Sequence, residues 1–212
     1  ITLSLRVSGL ALLFSTILGV PVGALVGLKR FPGRKLLVAL LYTGMGFPPV
    51  VVGLFVYLLL SRSSPLGALN SNLIPQLFTP AAMIVAQTII AFPLVAGLTM
   101  SAILGVDPGL KQQMLALGAT SRQAALTILA EARLGVILSI VAGFGAIISE
   151  VGAVMLVGGN IQGATRVLTT AIVLETRQGR FGLALALGGV LLGITFIANL
   201  VLLRLQGKRL DA

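Results

Sequence analysis

Five stretches of the chain are strongly apolar over at least 22 residues each, and four of them carry no charged side chain. An α-helix rises 1.5 Å per residue, so about 20 apolar residues cross the roughly 30 Å hydrocarbon core of a bilayer. The five stretches cover residues 7–28, 36–60, 80–106, 134–158 and 181–203. The chain is 57% hydrophobic and 9% charged, which is too few charged residues to form the surface of a water-soluble protein. We therefore predict an all-α membrane protein of about five transmembrane helices, folded as one transmembrane domain over residues 1–212.

The basic residues fall unevenly on the two sides of such a bundle. Fifteen Lys and Arg stand against five Asp and Glu. Ten of the fifteen flank the spans on one side: Lys29, Arg30, Arg34, Lys35, Lys111, Arg122, Arg133, Arg204, Lys208 and Arg209. The other five lie on the opposite side: Arg6, Arg62, Arg166, Arg177 and Arg180. Because basic residues are enriched in cytoplasmic loops, this bias predicts an outside N-terminus and a cytoplasmic C-terminus.

Several kinds of chemistry are excluded by residues that the sequence lacks. It has no Cys and no His, which removes disulfides, the usual zinc sites and Ser–His or Cys–His nucleophiles. No Gly-rich P-loop is present, so ATP has no ordinary phosphate cradle here. The basic residues are not interleaved with aromatic ones, as they are on surfaces that stack nucleic acid bases. We expect no enzymatic activity, no metal, no cofactor in this chain and no nucleic acid partner.

Small residues recur at four-residue spacing within the spans, a pattern that lets helix backbones approach closely in lipid. The members are Gly19, Gly23 and Gly27 in the first span, Gly145, Ser149 and Ala153 in the fourth, and Gly189 and Gly193 in the fifth. Packing within one chain and a seam between two copies both fit the pattern. Prolines also interrupt three spans and predict kinks at Pro21, at the pair Pro48–Pro49, and at Pro93.

Residues 107–131 are too polar to span a membrane, and they predict two short helices joined by a turn. Asp107 followed by Pro108 is typical of a helix start, and Gly118 is placed to end that helix in a left-handed conformation. Thr120 and Gln123 fit a capping box that starts the second helix. Its apolar side can lie at the lipid interface or dock into a groove of a partner protein.

This segment resembles the cytoplasmic loop of ABC-importer permeases. That loop carries Glu-Ala-Ala, three residues, Gly, nine residues, and then Ile-x-Leu-Pro. Leu117-Gly118-Ala119 and Ile128 match it, whereas Gln112, Gln113 and Met114 occupy the Glu-Ala-Ala positions and Ala130-Glu131 replace Leu-Pro. The resemblance implies docking into a separate ATPase subunit, which binds ATP and Mg. The contact set that it implies is Gln112, Gln113, Met114, Leu117, Gly118, Ala119, Thr120 and Ile128.

A second resemblance covers residues 149–176. Glu150-Val-Gly-Ala-Val-Met-Leu-Val-Gly-Gly-Asn160, followed by Thr165-Arg166-Val-Leu-Thr-Thr, is similar to the oxyanion permeases for molybdate, tungstate and sulfate. It is closest to the tungstate permeases, and the likeness extends to Phe47-Pro-Pro-Val-Val-Val-Gly53. The family implies a homodimer, a pair of ATPase subunits, an extracytoplasmic oxyanion-binding protein and a place in the prokaryotic plasma membrane.

Polar residues near the fourth span are candidates for the transport pathway or its gate: Glu150, Asn160, Thr165, Arg166 and Thr169. Hydroxyl, amide and guanidinium groups suit a divalent oxyanion, although ordinary loop capping explains them equally. Glu150 is the one acid within a predicted span, and a bare carboxylate would repel an anion. We expect it to cap backbone donors or to pair with an arginine, Arg166 being the candidate. A molybdate or sulfate permease of the same class and an ion-coupled secondary transporter are the alternatives.

Overall fold

The computed structural model describes residues 1–64 and 74–206. These two ranges contain ten helices joined by loops, and no strand. They are α1 Thr2–Leu28, α2 Arg34–Met45, α3 Pro49–Leu60, α4 Pro80–Leu104, α5 Pro108–Ala116, α6 Ser121–Glu131, α7 Arg133–Ile148, α8 Gly152–Gly158, α9 Leu168–Arg177 and α10 Phe181–Gln206. Lys208 and Arg209, which were counted on the more basic side, lie outside the described residues. The all-α prediction is confirmed for the described part.

Three helices are each long and apolar enough to cross a membrane: α1, α4 and α10. They correspond to the first, third and fifth predicted spans. The second and fourth predicted spans are not continuous helices. Two bent helix pairs, α2 with α3 and α6 with α7, reach the required length and hydropathy only when each pair is taken together, so the bundle has three to five spans.

The break in the second predicted span lies at Gly46, Phe47 and Pro48, where the axes of α2 and α3 meet at 103°. Each of two consecutive prolines pushes the residue before it into extended backbone. Pro48 accordingly has φ −62° and ψ 122°, and Pro49 starts α3 at the first helical position, where its missing N–H costs nothing. The kink predicted for this proline pair is therefore a sharp corner.

The fourth predicted span, residues 134–158, is divided between α7 and α8. A 16-residue helix such as α7 is about 24 Å long, less than the hydrocarbon core. The Ser149 hydroxyl donates to the Gly145 carbonyl at 2.8 Å at the end of α7. Glu150 then accepts the Ala153 N–H at 2.9 Å and begins α8. The predicted face of Gly145, Ser149 and Ala153 is thus wrong, because the three residues do not share one helix.

The centre of the bundle is a close parallel seam between α1 and α4. Modelling a Cβ atom on Gly19, Gly23 and Gly27 in turn would bring it within 3.1 Å of Val95, 2.3 Å of Ala96 and 2.9 Å of Ile103. Residue numbers increase together along the two helices from one contact to the next, so α1 and α4 run in the same direction. The first glycine run therefore packs within the chain. Gly189 and Gly193 on α10, by contrast, have no neighbouring atom within 4 Å of such a Cβ among the described residues.

The two candidate sites lie at opposite ends of this bundle. At the start of α1, the Ser4 hydroxyl accepts the N–H of Leu168, just after the 159–167 loop. At the end of α1, Leu28 packs on a buried cluster of Ile103, Ile128 and Ala132, next to the helix–turn–helix of α5 and α6. A helix of 27 residues separates these two ends by about 40 Å.

Candidate functional site

The helix–turn–helix of residues 107–131 has the local structure that the sequence predicts. The Asp107 carboxylate accepts the Gly109 N–H at 2.8 Å and starts α5. Gly118 has φ 88°, in the left-handed region that glycine adopts without strain, and ends it. The Thr120 hydroxyl accepts the Gln123 N–H at 3.3 Å, while the Gln123 side chain accepts the Thr120 N–H at 2.8 Å. This reciprocal pair is the predicted capping box.

The turn presents apolar side chains outward. Leu117 is 84% exposed and Leu126 on α6 is 57% exposed. Both line a shallow depression with Met114, Gly118 and Ala119. Exposing large apolar side chains to water does not stabilise a single chain. Such patches are typical of surfaces that contact lipid or a partner protein.

Seven of the eight predicted contact residues lie together around this depression or beside it, and one does not. Gln112, Gln113 and Thr120 are exposed, next to the turn. Ile128 is only 7% exposed and packs against Ile103 at the end of α4. Ile128 therefore lies within the chain's own core, where it fixes α6 to the ends of the long helices.

The loop of residues 159–167, at the other end of the bundle, is held by its own backbone. Gly159, Asn160 and Gly163 have positive φ angles of 71°, 51° and 78°. Asparagine is one of the few residues that adopt this conformation readily. The carbonyl of Ile161 accepts three consecutive N–H groups, those of residues 164–166, at 2.9 to 3.2 Å. The loop is therefore a tight, self-contained turn.

The candidate pathway residues in this loop form hydrogen bonds with each other and with the backbone around them. Thr165 is fully buried, and its hydroxyl donates to the Gly158 carbonyl at 2.5 Å and accepts the Ile161 N–H at 3.0 Å. The Arg166 guanidinium donates to the Asn160 side chain at 3.3 Å and to its carbonyl at 3.5 Å. These bonds cap the loop and the end of α8, which was the alternative explanation of the same residues.

Glu150 lies at the break between α7 and α8, where its carboxylate caps α8 by accepting the Ala153 N–H. Its own carbonyl accepts the Thr169 hydroxyl of α9 at 2.9 Å. The expected capping of backbone donors is thus present. The suggested pairing with Arg166 is absent, because Arg166 binds Asn160 instead.

A residue that the sequence analysis missed also holds this break. Gln87 on α4 is 3% exposed, and its Nε2 donates at 2.9 Å to the carbonyl of Ile147, the last residue but one of α7. Its Oε1 is buried with no hydrogen-bond partner. The signal was available, because Gln87 is the most polar side chain of an otherwise apolar segment, and a buried amide in a span needs a specific partner.

The ion pair of Glu175 and Arg180 joins the end of α9 to the start of α10. It is the one ion pair found within residues 1–64 and 74–206. The hydrogen bond from Arg180 holds the pKa of Glu175 below its usual value, and the charge of Arg166 lowers it further. The carboxylate is therefore kept ionised near the 159–167 loop.

These features define a class of protein: a multi-pass helical membrane subunit with an exposed, capped helix–turn–helix at one end and a broken span leading to a loop at the other. The family model described as "Binding-protein-dependent transport system inner membrane component" matches residues 19–210. The chain belongs to that family. It is a multi-pass membrane permease subunit of an ABC transporter.

Named relatives are similar over most of their length. A probable anion ABC transporter permease protein of Haloferax volcanii is 44% identical over 92% of this chain and 84% of its own. The tungstate uptake system permease protein TupB of Peptoclostridium acidaminophilum is 40% identical over 97% and 88%. The molybdenum transport system permease protein ModB of Escherichia coli is 34% identical over 87% and 82%. The predicted resemblance to the oxyanion permeases is confirmed.

The fold also matches a solved transporter. The structure described as "Crystal structure of an amino acid ABC transporter with histidines" superimposes with a TM-score of 0.71 over 95% of this chain and 88% of that one. The sequences are 19% identical, so this likeness supports the fold alone. None of these comparisons gives a sign of an ion-coupled secondary transporter.

Proposed function

We propose that this chain is the membrane permease of an ATP-driven oxyanion importer, with tungstate as its substrate. Two copies form the pathway between them, and a separate pair of ATPase subunits binds ATP and Mg. An extracytoplasmic binding protein delivers the oxyanion. The observation that carries the proposal is the exposed apolar turn at Gly118, held rigid by two caps and fixed to the long helices through Ile128.

The turn has the properties that an ATPase contact requires. Its contact residues are those around the depression: Gln112, Gln113, Met114, Leu117, Gly118, Ala119 and Thr120. A small apolar patch on a rigid helix pair fits a groove in a partner, whereas a flexible loop would lose ordering entropy on binding. Ile128 passes displacement of the turn to α4.

The orientation follows from this assignment together with the charges. The helix–turn–helix faces the cytoplasm, where ATP is available, and so do Lys29, Arg30 and Lys111 at the same end of the bundle. The 159–167 loop then lies outside, towards the binding protein. The N-terminus is outside, and the C-terminus is cytoplasmic.

The test of coupling uses Gly118→Asp, which places a charge in the middle of the apolar turn. Gly179→Asp is the matched control, because Gly179 also has positive φ, at 74°, and no atom lies near its Cβ position. In proteoliposomes containing the ATPase and binding protein, we expect Gly118→Asp to weaken ATPase association by roughly 30-fold, as for an interface hot spot. ATP-driven uptake should fall accordingly. Normal association and uptake in Gly118→Asp would refute the coupling role.

The substrate proposal is supported by the relatives named for tungstate, at 40% and 37% identity, against 34% for the molybdenum permease and 27% for a sulfate permease. The decisive experiment measures uptake of labelled tungstate against competing molybdate and sulfate. The binding protein purified with the transporter should be used. Preferential inhibition of uptake by molybdate or sulfate would reassign the substrate within the same class.

The candidate pathway residues then shape a gate. Glu150 and Thr169 hold the break between α7 and α8. Asn160, Thr165 and Arg166 fix the 159–167 loop, which forms the outer part of the gate. Glu150→Gln retains an oxygen that can accept the Ala153 N–H, so transport should remain near wild type or rise. Glu150→Ala removes the cap, which is worth about 1 kcal/mol, and should impair transport. A large loss in Glu150→Gln would show that the negative charge itself is needed.

A further inference from the structure

A basic cavity lies at the end of α1 and α4, beside the helix–turn–helix but separate from the depression around Gly118. Its volume is about 430 Å³, within the range of ordinary ligand pockets. Four cationic side chains line it: Lys29, Arg30, Arg34 and Lys111. Asp107 is the acid in the lining, and its carboxylate already caps α5 through the Gly109 N–H.

The four cations have no ion-pair partner within the described residues. Arg34 uses its Nε to donate to the Val26 carbonyl at the end of α1, at 2.8 Å, which fixes its guanidinium beside the cavity. Lys29, Arg30 and Lys111 are exposed. Cations gathered from two separate segments of the chain around one cavity repel each other unless an anion is present.

The other wall of the cavity is apolar. Leu28 and Leu104, which end the two long helices, and Val106, which follows α4, contribute to it, and Leu104 is 51% exposed. These residues end hydrophobic spans, so they lie at the level where hydrocarbon gives way to headgroups. A ligand that fits both walls has an anionic head and an apolar tail.

We propose that this cavity binds the phosphate headgroup of an anionic phospholipid, with an acyl chain along the α1 and α4 ends. Basic pockets between transmembrane helices recognise anionic headgroups in this manner. Lys29 and Arg30 follow α1, whereas Lys111 lies on α5, so the bound headgroup joins the bundle to the helix–turn–helix. A free oxyanion would leave the apolar wall uncovered, which favours the lipid.

The chain has no Trp, so a single introduced Trp reports on its surroundings without background. Leu104→Trp places the probe in the cavity wall. Leu36→Trp is the matched control, because Leu36 is also exposed at the start of α2 but does not line the cavity. The permease is reconstituted alone, and quenching by brominated phosphatidylglycerol is compared with quenching by brominated phosphatidylcholine.

At the Leu104→Trp probe we expect phosphatidylglycerol to be preferred by at least about fivefold, the attraction that one nearby Lys or Arg supplies. At the Leu36→Trp probe the two lipids should quench alike. Adding Arg30→Gln and Lys111→Gln should abolish the preference, whereas Lys35→Gln with Arg204→Gln should retain it.

Three results would overturn the proposal. The first is equal quenching by both lipids in the cavity. The second is loss of the preference in the Lys35→Gln and Arg204→Gln control, which would indicate general surface charge. The third is displacement of the lipid by millimolar inorganic phosphate or tungstate, which would indicate a free-anion site. Because the measurement needs neither nucleotide nor transport, its failure is separable from failure of the proposed function.

Discussion

Gly23 lies where α1 and α4 approach most closely, and one added methyl group there is expected to force the two helices apart. A Cβ at this position would lie 2.3 Å from the carbonyl oxygen of Ala96 and 2.8 Å from the Cβ of Thr99. Ordinary contacts begin near 3.4 Å, so the seam must open by about 1.1 Å (3.4 minus 2.3 Å). The nearest atom belongs to the α4 backbone, so no side-chain rotation can relieve the contact.

Overpacking of this kind costs roughly 1 to 3 kcal/mol in a well-packed core. For a chain of this size each kcal/mol lowers the midpoint of thermal unfolding by about 2 to 4 °C. Gly23→Ala should therefore lower the apparent Tm by roughly 2 to 12 °C. Gly189→Ala is the matched control, because Gly189 is also a helix glycine of a four-residue repeat but has no atom within 4 Å of its Cβ position.

The assay is thermal unfolding of the detergent-purified permease, followed by loss of the monodisperse peak on size exclusion. Gly189→Ala should be neutral, or stabilising by no more than about 1 kcal/mol through better helix propensity. Equal Tm values for Gly23→Ala and Gly189→Ala would refute the close seam. A destabilised Gly189→Ala would instead show that α10 packs against something beyond this chain.

Two further outcomes follow from single hydrogen bonds. Gln87→Met keeps the side-chain length but removes the bond to Ile147, so it should speed hydrogen exchange in residues 147–156 by roughly threefold. Thr99→Val is the control: it removes another buried bond between α4 and α7, and exchange in residues 147–156 should stay unchanged. The pair of Glu175 and Arg180 lowers the pKa of Glu175, so its stabilisation is present above the unfolded-state pKa of about 4.3 and is lost as pH falls through the lowered value. Arg180→Gln should therefore lower the apparent Tm at pH 7. It should leave the Tm unchanged at a pH low enough to protonate Glu175 in both the wild-type protein and the variant.

The fold could be predicted from the sequence wherever one local rule acted alone. The uninterrupted apolar runs gave α1, α4 and α10, and Asp107, Gly118 and Thr120 gave the ends of α5 and α6. The two breaks needed more than local rules. Pro48 and Pro49 predict a kink, but a corner of 103° depends on how α3 packs against α8.

The candidate sites show the same division. The residues that lie together around Gly118 could be predicted because spacing along a helix–turn–helix determines which residues share a surface; their contact with an ATPase stays a prediction. The roles of Glu150, Thr165 and Arg166 could not be separated from loop capping, because a sequence does not show which polar atoms find partners. Gln87 was missed because its partner, the carbonyl of Ile147, is a backbone atom 60 residues away.

α4 connects the two ends of the bundle, and its contacts explain how movement at one end reaches the other. Its C-terminal end packs on Ile128, behind the proposed ATPase contact, and its N-terminal half holds the α7 terminus through Gln87. The glycine seam fixes α1 to the same helix, so α1 and α4 move as one body. The break at residues 149–151 is held by a few side-chain bonds, those of Gln87, Ser149, Glu150 and Thr169. If the proposed function holds, we expect a displacement that enters at the Gly118 turn to be taken up at this break, because the seam beside it is too closely packed to deform.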